Sequence, residues 1–184
     1  MKITTIGRGA VGGGLGRRWE RAGHTVTMLG QEGGDASDAD VVLVAVPSAF
    51  IWDALRKVSG LQGKIAIDAT NAYAGRNDSY ESLAHEVKAH TSGPVAKAFN
   101  ANAARLLERI DDERVRPGCL YAADDGARDV AQQLIEDAGY EPESLGGLEN
   151  ARALEDFVPE IFSRLAEAPV FYRFTPPGEL PAAA

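Results

Sequence analysis

Gly7, Gly9 and Gly12, in the run Ile6-Gly7-Arg8-Gly9-Ala10-Val11-Gly12, have the spacing of a loop that wraps a pyrophosphate. The first glycine allows a tight turn, the second lets the anion approach the backbone, and the third permits close packing of helix on strand. Spacing alone is a weak signal, but the setting strengthens it. Ile3 and Ile6 mark a short β-branched strand just before the loop, and Val11, Leu15, Trp19 and Ala22 recur at helical spacing just after it. The free N–H groups and positive end of that helix would hold the phosphates of a dinucleotide. Other reactive chemistry is scarce. His24 and Cys119 stand at strand starts, remote from such a site, and His85 and His90 fall in or just after a helix covering the sheet. Lys97 is the one cation inside a strand, where a paired structural role competes with a functional contact. No catalytic residue and no metal ligand is assigned. Reducing a simple ketone needs a proton donor near the oxygen, whereas hydride transfer between two stacked rings needs mainly alignment and exclusion of water. The inventory suits the second.

The elements that must position the loop alternate between apolar strands and helical patterns, the signature of a parallel sheet covered on both faces. Strands are expected at 2–6, 24–29, 41–46, 64–68, 94–99 and 118–122, and helices beginning near Ala10, Ala49, Asp78, Ala101 and Gly126, with a longer one from about Glu149. Only about ten residues, Gly30 to Ala39, separate the second strand from the third. The usual helix and strand cannot fit there, because the crossover alone takes a dozen residues or more. We expect that pair to be deleted, 41–46 to lie beside the first strand, and 24–29 to form the sheet edge. The fold class is therefore α/β, a Rossmann-like doubly wound and mostly parallel sheet with a C-terminal helical extension. The organisation expected is a single domain over 1–168 and an aromatic, proline-rich tail over 169–184, its end disordered.

Composition narrows the classes. The 184 residues carry a net charge of −8, with 45% hydrophobic and 25% charged residues, as in a soluble globular protein. That charge argues against nucleic-acid partners. No run reaches the length of a membrane span, no signal peptide is evident, and a single cysteine leaves the cytoplasm as the default compartment. An anionic cofactor in an acidic protein requires a locally positive site, which directs attention to Arg8, Arg17, Arg18, Arg76 and Lys97.

Taken in order, Ile-Gly-Arg-Gly-Ala-Val-Gly (6–12), Arg-Ala-Gly-His-Thr-Val (21–26), Val-Leu-Val-Ala-Val-Pro (42–47), Ile-Asp-Ala-Thr-Asn (67–71), Ala-Lys-Ala-Phe-Asn (96–100) and Leu-Glu-Asn-Ala-Arg (148–152) resemble the NADPH-dependent coenzyme F420 reductases. The cytoplasmic reductase domain of the Steap metalloreductases is similar in the same places. The resemblance runs from Lys2 to about Leu165. It implies a nicotinamide cofactor across the carboxyl ends of the strands and hydride transfer to or from a deazaflavin or flavin ring. Carried over, Gly7, Arg8, Gly9, Ala10, Val11 and Gly12 would bind pyrophosphate, and Ala45, Val46 and Pro47 would flank the cofactor. Asn71, Phe99 and Asn100, with Thr70 and Asn102, would line the nicotinamide side. At the adenosine ribose, Gly30 and Gln31 replace the family's serine and its 2′-phosphate-gripping arginine. Glu32 could reach the ribose if its loop folds back, and Arg8 could reach a 2′-phosphate. NADP(H) is the expected cofactor, with NAD(H) possible and F420 or a flavin as co-substrate. Three alternatives stay open: a reductase of imines, carbonyls or other small substrates with this fold, a metalloreductase-like domain whose partner protein carries the flavin, and a noncatalytic NAD(P)-binding sensor. The strip Val170, Phe171, Tyr172 and Phe174 calls for cover, and a homodimer through the C-terminal helix and tail is expected over packing within one chain.

Overall fold

The structure, a computed structural model, describes residues 1–162, 164 and 169–178. Its main sheet is built from β1 (Lys2–Ile6), β2 (Thr25–Leu29), β4 (Val41–Val44), β6 (Ile65–Asp68), β7 (Val95–Ala98), β8 (Gly118–Ala123) and β9 (Glu141–Ser144), in the order β2-β1-β4-β6-β7-β8-β9. β2, β1, β4, β6 and β7 run parallel. As the short Gly30–Ala39 link requires, β4 pairs directly with β1 and β2 is the edge. The link is not structureless, since β3 (Gly34–Asp35) pairs in parallel with β5 (Val58–Ser59) to make a small second sheet.

The alternation along β4 shows how the layers form. Val41 and Leu43 face one core with Ile3, Leu15, Trp19, Ala131 and Leu134, while Val42 and Val44 face another with Ile51, Leu55, Leu83, Val87 and Ala151. Helices α1 (Ala10–Arg21) and α4 (Asp125–Asp137) cover the first face; α2 (Ile51–Leu55), α3 (Leu83–Thr91) and α5 (Ala151–Phe157) cover the second. A strand buried on both sides reads as a continuous apolar run, which is why Val-Val-Leu-Val is legible in the sequence.

Several expectations are corrected. β8 runs antiparallel to β7, and β9 parallel to β8. This reversal carries Cys119 to the carboxyl end of the parallel strands, opposite to where a strand start would place it, but the thiol is fully buried and burial pushes its pKa up to about 12. β9 escaped notice because Glu-Pro-Glu-Ser has no apolar alternation. The third helix starts at Leu83, not Asp78, where the Ser82 hydroxyl accepts a hydrogen bond from the His85 N–H. The segment after Asn100 is a 3₁₀ helix over Ala104–Asp112. The last helix ends at Phe157 in a π-helical turn, Val158–Phe162, around Pro159. The final residues expected to be disordered, and the part of that helix expected beyond Arg164, lie outside the described residues.

The tail folds back on its own chain. Tyr172 accepts from Gly118 N–H through its carbonyl, its hydroxyl accepts from Leu120 N–H at 3.0 Å, and the same hydroxyl donates to Asn102 Oδ1 at 3.3 Å. Phe171 packs against the first core, so packing within one chain accounts for Phe171 and Tyr172, while Val170 and Phe174 stay exposed.

Candidate functional site

The carboxyl ends of β1, β4, β6 and β7 lie along one edge of the sheet, and the glycine loop follows β1, the strand at which the order reverses, with β2 on one side and β4 on the other. In open α/β sheets this reversal of strand order leaves a crevice. Each glycine there has a physical reason. Gly7 has φ +103°, and a Cβ on it would lie 2.3 Å from the Ala45 carbonyl oxygen; a Cβ on Gly12 would lie 1.8 Å from the Gly7 oxygen. Those two are forced by the packing of loop and helix on the sheet. At Gly9 a Cβ would meet nothing within 4 Å, so the backbone there is open to a ligand. Gly9 caps α1 without a side-chain hydrogen bond, and α1 carries no acid in its first turn and Arg18 and Arg21 in its last, an arrangement that leaves the positive end available to an anion.

Two cavities flank this loop. The first, about 840 Å³, is lined by Gly7, Arg8, Gly9, Gly30, Gln31, Ala45, Val46 and Pro47, together with Glu32, Phe50, Asp53 and Lys57. The second, about 370 Å³, brings Val11, Asn71, Phe99 and Asn100 together with Tyr73, Asn102, Arg105, Val158, Phe162 and Pro169. Ala10 and Gly12 line neither cavity; they form the first turn of α1 beneath the loop.

In the first cavity the loop after β2 folds back. Glu32 Oε1 lies 3.0 Å from Arg8 Nη1 and accepts from Gly30 N–H at 3.2 Å. Its own backbone N–H, with further help from Arg8 and Gly30, holds the carboxyl below the usual carboxylate value. Lys57 Nζ donates to the Gln31 carbonyl at 3.2 Å. Lys57 went unnoticed in the sequence because the small β3–β5 sheet, not local spacing, brings it to this loop.

In the second cavity Asn71 and Asn100 clasp each other. Asn71 Nδ2 donates to the Asn100 carbonyl at 2.8 Å, and Asn100 Nδ2 donates to Asn71 Oδ1 at 3.1 Å and to the Leu154 carbonyl at 2.8 Å. Two acceptors at one nitrogen fix which way the Asn100 amide points. Its Oδ1 is then a buried acceptor with no partner among the described residues. Phe99, at φ +64°, turns its ring into the core against Trp19 and Tyr140, so it borders the cavity without offering an aromatic face to it.

The cations sort differently from the sequence expectation. Arg18 is buried against Asp111 and the Leu107 carbonyl, and Arg76 pairs with Glu155 and Asp156. Lys97, fully buried, lies 2.7 Å from Asp68 and 3.2 Å from Glu155 and donates to the Thr70 carbonyl at 2.6 Å. All three serve the fold, and Thr70 serves as a lysine partner. Glu155 also accepts from Leu83 N–H at 2.9 Å, tying α5 to the start of α3. Arg17 lines neither cavity. His24 bridges the N-terminus and Asp137, His85 meets Ser82, and His90 packs on Trp52, all away from the crevice. Among the described residues no cluster of three or more metal-ligating side chains exists, and no helix is long and apolar enough to cross a membrane.

No protein-family profile matches the chain, and no curated protein matches it. Solved structures do. A candidate F420-dependent NADP-reductase from Arthrobacter sp. FB24 is 21% identical over 86% of this chain and 90% of its own, with a TM-score of 0.74. A hypothetical protein from Sinorhizobium meliloti is 25% identical over 80% of this chain and 84% of its own, with a TM-score of 0.62. A reductive aminase from Aspergillus terreus, solved with NADPH and ethyl levulinate, is 15% identical, with a TM-score of 0.61 over 88% of this chain but 60% of its own. What this chain shares with them is the fold, a Rossmann-like and mostly parallel sheet with helices on both faces.

Proposed function

We propose that the chain is an NAD(P)-dependent oxidoreductase that binds NADP(H) across the two cavities and exchanges a hydride with a deazaflavin (F420) or flavin-like ring. The observation that carries the reading is the glycine loop at the strand-order reversal, where Gly7 and Gly12 are closed by backbone and Gly9 alone is open. The residues present fit such a cofactor. The N–H groups at Gly9 and the start of α1 would take the pyrophosphate, Arg8 and Lys57 would face the adenosine ribose, and the unpartnered Asn100 Oδ1 would accept from a carboxamide N–H. When bound, the cofactor supplies two electrons and one hydrogen as a hydride; the acceptor takes these and one proton from solvent. The chain's part is alignment: Asn71 and Asn100 hold the ring end, and Val11, Phe162 and Pro169 exclude water beside it.

Calorimetric titration with NADPH and NADH, followed by turnover with F420 and FMN, tests this. Binding of neither nucleotide refutes it, and binding without turnover of any acceptor favours the sensor alternative. A second reading, imine or carbonyl reduction, draws on Tyr73, whose exposed phenol lines the second cavity and could give a proton. The exposed Val170 and Phe174 support the homodimer through the tail, which sedimentation would detect, and the single buried thiol fits a cytoplasmic setting.

A further inference from the structure

The two edges of the main sheet end differently. β9, Glu-Pro-Glu-Ser, blunts its edge with two carboxylates and a proline that has no N–H to offer, and the tail lies against it, Phe174 N–H donating to Glu143 at 2.8 Å. β2, Thr-Val-Thr-Met-Leu, carries no charge and no proline, and its Thr25 and Thr27 side chains are exposed. The short Gly30–Ala39 link leaves no strand to cover this edge, and among the described residues nothing pairs with its outer side. Thr25 N–H donates to the Met1 carbonyl, and the Leu29 carbonyl accepts from Gly7 N–H, both at 3.0 Å and both toward β1. Alternate residues of a strand turn their backbone groups to opposite sides, so Val26 and Met28 direct N–H and C=O outward, unpaired.

Helix α1 borders the same edge. A Cβ on Gly16 would lie 2.5 Å from Met28 Cε and 3.4 Å from Val26 Cγ1, so Gly16 stands over the middle of β2. Leu15 and Trp19 face the core, and Gly14 and Arg18 face Leu107. The flank beyond Gly16 therefore belongs to Gly13, Arg17 and Glu20, of which Arg17 and Glu20 are exposed.

We infer that β2 pairs edge to edge with β2 of a second copy of this chain, antiparallel about a two-fold axis at Thr27. In that register Val26 faces the partner's Met28 and Met28 the partner's Val26. Each pair exchanges two hydrogen bonds, which satisfies all the outward groups of both residues. Thr27 meets the partner's Thr27 at a non-hydrogen-bonded position, where side chains come closest, and no charge on either strand opposes the match. The two α1 helices then run antiparallel on one face of the joined sheet, about two strand spacings or roughly 10 Å apart, a helix-contact distance. The order Arg17, Glu20 reverses in the second copy and turns each arginine toward the partner's Glu20. A register that matches itself and charges that complement themselves fit a copy of this chain better than an unrelated peptide. The interface lies at the opposite edge of the sheet from the tail, and it does not depend on the proposed function.

Sedimentation velocity of the full chain at about 100 µM tests this, since a short strand pair makes a small interface that needs such concentrations. Thr27→Lys and Thr27→Glu each set like charges against each other on the axis, at an exposed position that leaves the fold intact. Each is expected to halve the assembled mass, and an equimolar mixture of the two, with opposite charges now meeting, to restore it. Hydrogen exchange of the wild type needs no variant. The Val26 and Met28 amides are expected to exchange about tenfold slower or more at high concentration than after dilution, while Thr27 N–H, bonded to β1, does not change. A wild-type monomer, a mass that Thr27→Lys leaves as it was, a mixture that stays dissociated, or fast exchange of Val26 and Met28 at both concentrations overturns the inference.

Discussion

Arg8 Nη1 and Glu32 Oε1 stand 3.0 Å apart, joining the glycine loop to the turn after β2 across the mouth of the larger cavity. Glu32 is the first carboxylate after Gly30 and Gln31, and a Cβ on Gly30 would meet Glu32 Oε2 at 2.5 Å and the Arg8 guanidinium carbon at 2.7 Å. Both side chains are largely exposed, so the pair is weak and a ligand can rearrange it.

Cofactor choice should follow from this pair. A 2′-phosphate approaching Arg8 competes with Glu32, so Glu32→Gln is expected to shift the NADPH/NADH affinity ratio toward NADPH by about threefold to tenfold, and Gln31→Arg by about tenfold, one charge-assisted contact. Because the Glu32 pKa is depressed, its carboxylate persists below the usual value, and the effect of Glu32→Gln should vanish only as pH falls through that lowered value. An unchanged ratio in both variants would place the ribose elsewhere.

The glycines should separate binding from folding. Gly9→Ala keeps the fold and loses most dinucleotide affinity, since its methyl enters space that only a ligand would fill. Gly12→Val drives a side chain into the Gly7 carbonyl and should cost about 1–3 kcal/mol or more in urea unfolding. Wild-type affinity in folded Gly9→Ala would refute the phosphate loop.

Turnover should depend on position more than on proton transfer. Asn71→Ala and Asn100→Ala are expected to lower kcat by about a hundredfold through misplacement of the ring, while His85→Ala and His90→Ala stay near wild type. Tyr73→Phe decides the alternative. If it abolishes turnover with NADPH affinity intact, Tyr73 is a proton donor.

The buried cluster beneath the clasp should be costly to break. Glu155→Ala leaves Arg76 without its buried partner, Lys97 with Asp68 as its one remaining carboxylate among the described residues, and Leu83 N–H unsatisfied, an expected loss of about 3–5 kcal/mol in urea unfolding. Leu154 O, beside it in the chain, anchors Asn100, so nucleotide affinity should fall as well. A loss below 1 kcal/mol would show that the cluster does not hold α5.

Glu86 sits buried on α3, where desolvation, with Asp68 and Glu155 nearby, raises its pKa. A raised carboxyl pKa weakens the fold once the group ionises. Glu86→Gln should therefore raise Tm by about 1–3 °C at pH 8. The gain should shrink as pH falls through the raised value, and a gain independent of pH would assign the effect to packing.

The sequence by itself determined the β1-loop-α1 unit, the apolar strands and the deleted crossover. These depend on local signals: glycine spacing, continuous apolar runs such as Val41–Val44, and a link too short for a helix and strand. It also placed Asn71 and Asn100 together, since ends of neighbouring parallel strands must converge. Only the tertiary structure decided the rest. The direction of β8 and the existence of β9 depend on pairing between segments distant in the chain, which the Glu-Pro-Glu-Ser pattern does not encode. The fates of Arg18, Arg76 and Lys97 were likewise undetermined, because a cation's role depends on which carboxylate folding brings to it, and for Arg76 and Lys97 that is Glu155, far along the chain. Lys57 and Arg105 reach the two cavities for the same reason: long-range packing, not neighbouring sequence, sets what each charge faces.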